Sequence, residues 1–215
     1  MENSTPSYSP TDRTQVRRRS TRGVYDKAQV HAILDEGFLC HIGFVIDGQP
    51  YVIPTAYARS GEQIYIHGAP ASRVMGVAHQ DLDMCLTVTL MDGFVVARSV
   101  FHTSINYRCV VVLGKARQLT DLDEKREALR LFTNHLIPGR WEQAKQPTEQ
   151  ELKATGVLAL PLDEVSAKVR TGPPIDDEED YALPIWGGIV PVIQTFGQPV
   201  PDDRALPGAA APNSR

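Results

Sequence analysis

The stretch FLCHIGFVIDGQPYVIPTAYARSGEQIYIHG, residues 38–68, decides the fold. It consists of short runs rich in β-branched and aromatic residues, which is typical of strands. Asp47-Gly48 is a strong hairpin signal, and Ser60-Gly61 predicts a second turn. The stretch therefore predicts three strands joined by tight turns into an antiparallel meander.

The rest of the chain adds strands and a few helices. The segment DMCLTVTLMDGFVVAR predicts another hairpin around Asp92-Gly93, and Tyr107–Leu119 predicts a long strand. A further strand is predicted over residues 157–170. Predicted helices cover residues 25–37, 69–80, 123–137 and 148–156.

Six or more short antiparallel strands with few helices predict an α+β, mainly β domain. Closure into a barrel would remove the exposed sheet edges, although periodicity alone does not choose between a split barrel and a sandwich. We expect a flexible N-terminal arm over residues 1–20, a folded domain over 21–195 and a disordered tail over 196–215, because the two ends lack periodicity.

Composition limits the function. The net charge of −4 and the pI near 5.9 argue against a nucleic-acid-binding protein. No apolar run approaches the roughly 20 residues of a membrane helix, and the polar start does not resemble a secretory signal. The three cysteines form no CxxC pair and the six histidines no HExxH motif, so we expect reduced thiols, no metal site and a cytoplasmic location.

Polar groups follow the third predicted strand. In IHGAPASRVMG, residues 66–76, small residues lead into Ser72 and Arg73 at the start of a short helix. A hydroxyl, a guanidinium and free backbone N–H groups suit a phosphate, although a helix cap with a surface arginine explains the same residues. The pattern is not a P-loop, because GxxxxGK[ST] is absent.

Three other features could belong to a ligand site. Pro54 cannot donate to a strand ladder, so its strand lies at an edge or is locally unpaired. Trp186 lies in a predicted loop, where it either covers something flat or packs back onto the domain. The strand at 107–119 is preceded by a polar entrance, formed by Ser104, Asn106, Tyr107 and Arg108.

No nucleophile motif of the GxSxG type and no GxGxxG fingerprint occurs in the chain. The chemistry therefore points to a bound cofactor, for which the protein supplies grip and orientation.

The segments PYVIPTAYARSGEQIYIHGAPASRVMG, ARSVFHTSINYRCVVVLGKARQL and SAKVRTGPPIDDEEDYALPIWGGIVPV, taken in this order, resemble the pyridoxamine 5′-phosphate oxidase-like family of flavin-nucleotide-binding proteins. The resemblance covers roughly residues 20–193. It implies an FMN-binding split β-barrel that forms a homodimer, with FMN at the subunit interface and a small molecule as substrate.

The resemblance also implies roles for single residues. The backbone of Val52, Ile53, Pro54 and Thr55 would bond the edge of the flavin ring, and Ile66 and His67 would lie under the ring or the ribityl chain. Ser72 and Arg73 would hold the phosphate, with Val74 where a second basic residue is usual. Ser104, Asn106, Tyr107 and Arg108 would reach FMN from the other subunit, with Cys109 where serine is usual, and Trp186 would lie near the flavin.

The resemblance does not fix the reaction. We expect an FMN-dependent oxidoreductase acting on an unidentified small molecule, and vitamin B6 oxidation is not favoured. One alternative is a flavin-binding or sensing module without catalysis. Another is a haem-binding split barrel, with His67 or His102 as the iron ligand, and related split barrels also use a deazaflavin.

Overall fold

A computed structural model describes residues 6–77, 83–206, 208 and 210–212. The chain divides into two compact units. The first unit takes in the described residues of Met1–Gly37, Leu86–Val112 and Glu164–Gln194. The second takes in those of Phe38–Cys85, Leu113–Asp163 and Thr195–Arg215.

The described residues form mainly strands, with short helices, so the predicted α+β class is confirmed. The helices are α1 (Lys27–Glu36), α2 (Arg73–Val77), α3 (Leu122–Leu136), α4 (Arg140–Gln143) and α5 (Glu149–Lys153). The strands are β1 (Gly23–Val24), β2 (Leu39–Ile46), β3 (Gln49–Ala56), β4 (Ala58–Ser60), β5 (Gln63–Gly68), β6 (Asp83–Val96), β7 (Ser104–Lys115), β8 (Arg117–Gln118), β9 (Gly156–Pro161), β10 (Glu164–Arg170) and β11 (Gly188–Pro191).

Three of the helices begin at a residue whose side chain caps the helix start. The Asp26 carboxylate accepts a hydrogen bond from the Gln29 N–H at 2.8 Å and begins α1. Asp121 caps α3 in the same way. Thr148 and Glu151 form a reciprocal capping box at the start of α5. The predicted helix over residues 69–80 is confirmed as α2 at its centre, and its last three positions lie outside the described residues.

The first unit is built on four strands in the order β1-β10-β7-β6, and β11 also pairs with β6. The β1–β10 pairing is short, with Gly23 opposite Lys168 and Val24 opposite Ala167. This pairing places Arg18, Arg19 and Arg22 near Lys168 and Arg170 of β10.

The second unit contains the β2–β3 hairpin and a sheet in the order β4-β5-β9-β8. Asp47 and Gly48 both have positive φ, 50° and 78°, which is the backbone of the predicted hairpin turn. A small core of Leu119, Ala128, Val157 and Ala159 is packed against Tyr65. The predicted meander is wrong in one respect, since the chain leaves the hairpin at the fully buried Tyr57 and β5 joins the other sheet.

The predicted hairpin around Asp92-Gly93 is wrong. Strand β6 continues through both residues, neither of which has a positive φ. The Asp92 carboxylate accepts a hydrogen bond from the Arg108 guanidinium. A Cβ on Gly93 would come to 2.9 Å from the Val190 carbonyl oxygen of β11. The two residue types that suggest a turn therefore serve an ion pair and a close strand approach instead.

Two other predicted strands have different ends. The predicted single strand over 157–170 is two strands, β9 and β10, separated at residues 162–163. Strand β7 begins at Ser104, three residues before the predicted start, and ends at Lys115. The polar entrance is therefore part of the strand itself.

The ends of the chain differ from each other. Residues of the predicted N-terminal arm contact the first unit: Tyr8 and Thr14 are buried, and Arg13 pairs with Glu164. In the predicted C-terminal tail no described residue lies in a helix or strand, and the Phe196 ring contacts Phe38. The flexibility of the arm and the disorder of the tail stay predictions.

Candidate cofactor site

The end of β5 and the start of α2 hold three polar side chains, His67, Ser72 and Arg73, which we call the β5 cluster. Residues 69–72 form a tight turn, in which the Ser72 N–H donates to the Ala69 carbonyl at 2.8 Å. A Cβ on Gly68 would come to 3.7 Å from Ser72 Oγ, so the hydroxyl lies beside the strand end. The turn thus folds the Ser-Arg pair back toward His67.

Two buried polar atoms of the β5 cluster have no hydrogen-bond partner among the described residues. They are Ser72 Oγ and His67 Nδ1. Buried polar atoms in folded proteins are nearly always hydrogen-bonded. Two unsatisfied atoms in one cluster therefore indicate a place for a polar ligand.

The His67 ring lies edge-on to Phe132, with 4.1 Å between the ring centroids. Burial lowers the pKa of this imidazole below its ordinary value of 6.5. His67 is therefore neutral at neutral pH, with one ring nitrogen available as an acceptor and the other as a donor.

Arg73 is exposed and lies over the ring of Tyr51, with 4.3 Å from the guanidinium carbon to the ring centroid. No ion pair of Arg73 with a described residue is present. Stacking holds the planar group while leaving its N–H donors free for an anion. Val74, which follows, is buried and contributes no second charge.

Strand β3 is the outermost strand on its side of the sheet, so the prediction of an edge strand at Pro54 is confirmed. Val52 is 69% exposed. The backbone of the four predicted flavin contacts in this strand, Val52, Ile53, Pro54 and Thr55, pairs on one side with β2. The other side has no partner strand among the described residues.

Ile66 does not fit its predicted place under a flat ring. Its side chain is 1% exposed and belongs to the core of the second unit. Only the backbone of Ile66 could contact a ligand, whereas the neighbouring His67 has a side-chain nitrogen without a hydrogen-bond partner.

In the first unit, the polar entrance of β7 serves two different purposes. The Asn106 side chain is buried; its amide donates to the Gly172 carbonyl at 3.1 Å and its oxygen accepts from the Arg170 guanidinium. Asn106 therefore orients Arg170. Ser104 is exposed and lies at a cavity, while Tyr107 is half-buried.

Arg108 has other partners than the prediction assumed. Its guanidinium donates to both carboxylate oxygens of Glu36 and to both of Asp92. The hydrogen bonds that Arg108 donates to Glu36 and Asp92 raise the pKa of Arg108, and the hydrogen bond from Arg108 lowers the pKa of Glu36. With its donors engaged in this way, the Arg108 side chain links α1 to two strands, and we expect it not to contact a cofactor.

A basic cavity of about 580 Å³ lies in the first unit. We define it by the five cationic side chains that line it, Arg18, Arg19, Arg22, Lys168 and Arg170. His102 and Ser104 also line it. Arg18, Arg19 and Arg22 lie far from Lys168 and Arg170 in the sequence, and the β1–β10 pairing brings them together.

Trp186 lies in the loop before β11 and is 62% exposed. A Cβ on Gly188 would come to 2.7 Å from a ring carbon of Trp186, so the glycine makes room for the indole. The predicted loop position is confirmed, and a contact between Trp186 and a flavin stays a prediction.

A loop between β10 and β11 is fixed by Asp176. Its buried carboxylate accepts hydrogen bonds from the backbone N–H groups of Arg98 and Ser99 and from the Arg98 guanidinium. Desolvation opposes ionisation, yet these bonds hold the pKa of Asp176 below its ordinary value. Next to it, Asp177 contacts His102 at 3.3 Å. Asp176 is thus a buried carboxylate whose hydrogen bonds join this loop to residues 98 and 99.

Comparison with known proteins identifies the family. A family model described as pyridoxamine 5′-phosphate oxidase matches residues 26–169. The chain belongs to the pyridoxamine 5′-phosphate oxidase family. The fold of its structural relatives is the split barrel of flavin-binding proteins, which confirms the resemblance seen in the sequence.

Two solved structures are similar over nearly the whole chain. The flavocytochrome Anf3 from Azotobacter vinelandii is 44% identical, with a TM-score of 0.90 and coverage of 96% of both chains. The FAD- and haem-binding protein from Mycobacterium smegmatis is 32% identical, with a TM-score of 0.85 and coverage of 89% of this chain and 94% of that one. No curated protein sequence matched significantly.

A more distant structure shares the fold alone. It is a candidate 5-nitroimidazole antibiotic resistance protein from Bacteroides thetaiotaomicron, 22% identical, with a TM-score of 0.59 and coverage of 68% of this chain and 86% of that one.

Among the described residues, no group of histidine, cysteine and acidic side chains could hold a metal ion, and no helix has the length and apolar character needed to cross a bilayer. None of the three cysteines forms a disulfide. Burial raises the pKa of Cys40 to about 12, so this thiol is not a nucleophile at neutral pH.

Proposed function

We propose that this protein is a flavin-dependent oxidoreductase that binds the FMN moiety of its cofactor at the β5 cluster. The observation that carries the proposal is the pair of unsatisfied buried atoms, Ser72 Oγ and His67 Nδ1. A flavin nucleotide offers what each needs, since its phosphate accepts from a hydroxyl and its polar ring edge and ribityl hydroxyls meet an imidazole.

Arg73 supplies the charge for the phosphate. A guanidinium stacked on Tyr51 presents its donors in a plane, which matches two phosphate oxygens at once. Ser72 adds a neutral donor in the adjacent position. The small residues before it, Gly68 to Ala71, leave space for the phosphate to approach the backbone.

The free edge of β3 would supply a second set of contacts to the flavin, through backbone hydrogen bonds. Backbone N–H and C=O groups at Val52, Ile53 and Thr55 lie on a strand with one unpaired side among the described residues, and Pro54 interrupts the run of donors. Such an edge can hydrogen-bond the pyrimidine rim of an isoalloxazine ring. When bound, the flavin supplies hydride or electron transfer, and the protein orients the ring.

The nucleotide at the β5 cluster is FMN or the FMN half of FAD. The sequence favours FMN, whereas the M. smegmatis relative is named for FAD. Both contain the same ring and the same first phosphate, so the β5 cluster suits either. A homodimer with a shared flavin site and a cytoplasmic location also stay proposals, for which light scattering and cell fractionation are the tests.

A spectrum of the purified protein, followed by mass analysis of what heat releases, tests the binding. We expect flavin absorbance bands and a released flavin nucleotide. Anaerobic mixing with NADH or NADPH then tests turnover, with bleaching of the flavin as the expected result. Flavin bands without bleaching by either donor would support the sensing module instead, and the absence of any flavin would overturn the proposal.

Haem binding is the second candidate, because both close relatives are named for haem as well as flavin. His67 is neutral and has a free ring nitrogen, as an iron ligand requires. His102 offers Nδ1, since its Nε2 contacts Asp177 at 3.3 Å. A Soret band that is lost in His67→Ala or in His102→Ala would establish haem and identify its ligand.

A further inference from the structure

The basic cavity of the first unit has an excess of charge that the described residues do not neutralise. None of its five cations forms an ion pair with a described carboxylate. Arg170 is only 8% exposed, and its guanidinium is hydrogen-bonded to neutral acceptors, the Asn106 and Gly172 oxygens. A buried cation without a counter-charge is costly unless an anion joins it.

The electrostatic surroundings of Arg170 also favour a bound anion. Desolvation lowers the pKa of this guanidinium, and the positive charge of Arg22 lowers it further. Like charges that face a common space repel one another, and a bound anion would relieve this repulsion.

The fold holds the backbone that carries these cations, while the Arg18 and Arg19 side chains are exposed. Gly23 pairs with Lys168 across β1 and β10, which sets Arg22 beside the strand end. Lys168 Nζ donates to the Arg18 carbonyl at 3.2 Å. Arg19 has a left-handed backbone, φ 55°, a conformation that a non-glycine residue adopts at some cost.

We propose that the basic cavity binds the pyrophosphate and adenosine of a dinucleotide, that is, an ADP moiety. The arginines and Lys168 match adjacent phosphates, and the hydroxyls of Thr103 and Ser104 add neutral donors at the rim. The Phe101 side chain at the cavity is 87% exposed and gives a face for a base to stack on. The volume of about 580 Å³ is in the ordinary range for such a ligand.

The lining fits an ADP moiety better than haem. Haem has two carboxylates on a large apolar macrocycle and therefore needs mainly apolar walls. Phe101 and Ile175 are the large apolar side chains among the residues that line the cavity. A set of five cations instead matches the denser charge of neighbouring phosphates.

A nicotinamide dinucleotide that donates electrons contains a whole ADP moiety. FAD is the other source in a flavin oxidoreductase, and beyond the FMN phosphate assigned to the β5 cluster it would bring its AMP half, with one phosphate, to the basic cavity. The inference does not need flavin at the β5 cluster, because ADP alone is the probe. Calorimetric titration of ADP into the full-length protein, freed of adenine nucleotide, should show saturable binding that weakens with salt. Adenosine, which has no phosphate, should not bind.

Two variants test the site. Arg22→Gln and Lys168→Gln should each weaken ADP binding by about tenfold or more, because each removes a charged hydrogen bond. Arg140→Gln, which removes an exposed charge in the second unit, is the matched control and should leave ADP binding unchanged. Equal ADP affinity in all three variants, or no ADP binding by the wild-type protein, would overturn the inference.

The source follows from two further measurements. If FAD is the source, Arg22→Gln lowers the affinity for FAD but not for FMN. If the source is a nicotinamide dinucleotide, the same variant raises the NADPH concentration needed for half-maximal flavin bleaching and leaves FAD and FMN affinities equal to wild type. A Soret band that shifts in Arg22→Gln while ADP does not bind would show that the cavity holds haem, and would overturn the inference.

Discussion

The Asn106 side-chain oxygen accepts a hydrogen bond from the Arg170 guanidinium, while the Asn106 amide donates to the Gly172 carbonyl at 3.1 Å. Because the Asn106 and Gly172 oxygens that accept from Arg170 are neutral, the guanidinium keeps its full positive charge at the basic cavity. The sequence predicts a ligand at this polar entrance, and the structure shows the Asn106 side chain hydrogen-bonded to Arg170.

Replacing Asn106 with the isosteric aspartate should therefore weaken ADP binding by about tenfold, because a carboxylate would neutralise Arg170. The fold should persist, since a new ion pair offsets the lost hydrogen bond to Gly172. Calorimetry and a melting curve measure the two effects. Gln49→Glu adds the same charge on the surface of the second unit and is the control. Unchanged ADP affinity in Asn106→Asp would show that Arg170 does not face the ligand.

Arg108 is predicted to matter for stability and not for the cofactor. Arg108→Met removes the bridge to Glu36 and Asp92, and we expect a loss of about 1–2 kcal/mol in the free energy of unfolding, kept modest because the three side chains are partly exposed. Flavin affinity should not change. Urea unfolding and a flavin titration separate the two. Flavin loss at unchanged stability would restore the role that the family resemblance implies.

Gly93 permits the pairing of β11 with β6. A Cβ there would come to 2.9 Å from the Val190 carbonyl oxygen and to 3.1 Å from the Ile189 side chain. Gly93→Ala should cost about 1–3 kcal/mol in unfolding free energy and speed hydrogen exchange in residues 188–191. Gly43→Ala, where the nearest contact is an ordinary 3.7 Å, is the control. If both variants are equally stable, the close approach is not a constraint.

Local chemistry was enough to predict much of this fold. The starts of the helices at Asp26 and Thr148 and the turn at Asp47-Gly48 are decided by neighbouring residues, and the predicted helices and turn lie there. Asp92-Gly93 has the same local signal but forms no turn, because its two residues meet Arg108 and β11, which are distant in sequence. Strand pairing across distant segments cannot be read from one window of sequence.

For the candidate site residues too, those that are neighbours in the sequence could be predicted, and those brought together by distant strand pairing could not. Ser72 and Arg73 are neighbours in the chain, so their pattern predicts a phosphate site that the structure supports with an unsatisfied hydroxyl. The basic cavity needs Arg22 and Lys168 to meet across β1 and β10, and no spacing rule joins residues that far apart. The family resemblance placed Arg108 at the cofactor, but two carboxylates in this chain occupy its donors.

Stability should depend on His67 in mildly acidic solution. Burial lowers the pKa of His67 in the folded state, whereas the unfolded chain keeps the ordinary value of 6.5. The unfolded state therefore binds the proton first as the pH falls, so the stabilising contribution is complete above pH 6.5 and is lost as the pH drops through the folded pKa. Urea unfolding of the wild type and of His67→Gln at a series of pH values measures this. Identical pH profiles would contradict the burial of a neutral ring.

The most direct test of the account is a flavin titration of Arg73→Gln and Ser72→Ala against the wild type, with Arg59→Gln as a surface control on β4. The account predicts that Arg73→Gln raises the flavin dissociation constant by about tenfold or more, because a charged hydrogen bond to the phosphate is lost, and that Ser72→Ala raises it by a smaller factor. Riboflavin, which has no phosphate, should bind all four proteins equally. Equal FMN affinity in Arg73→Gln and the wild type would contradict the phosphate site, and with it the placement of the cofactor at the β5 cluster.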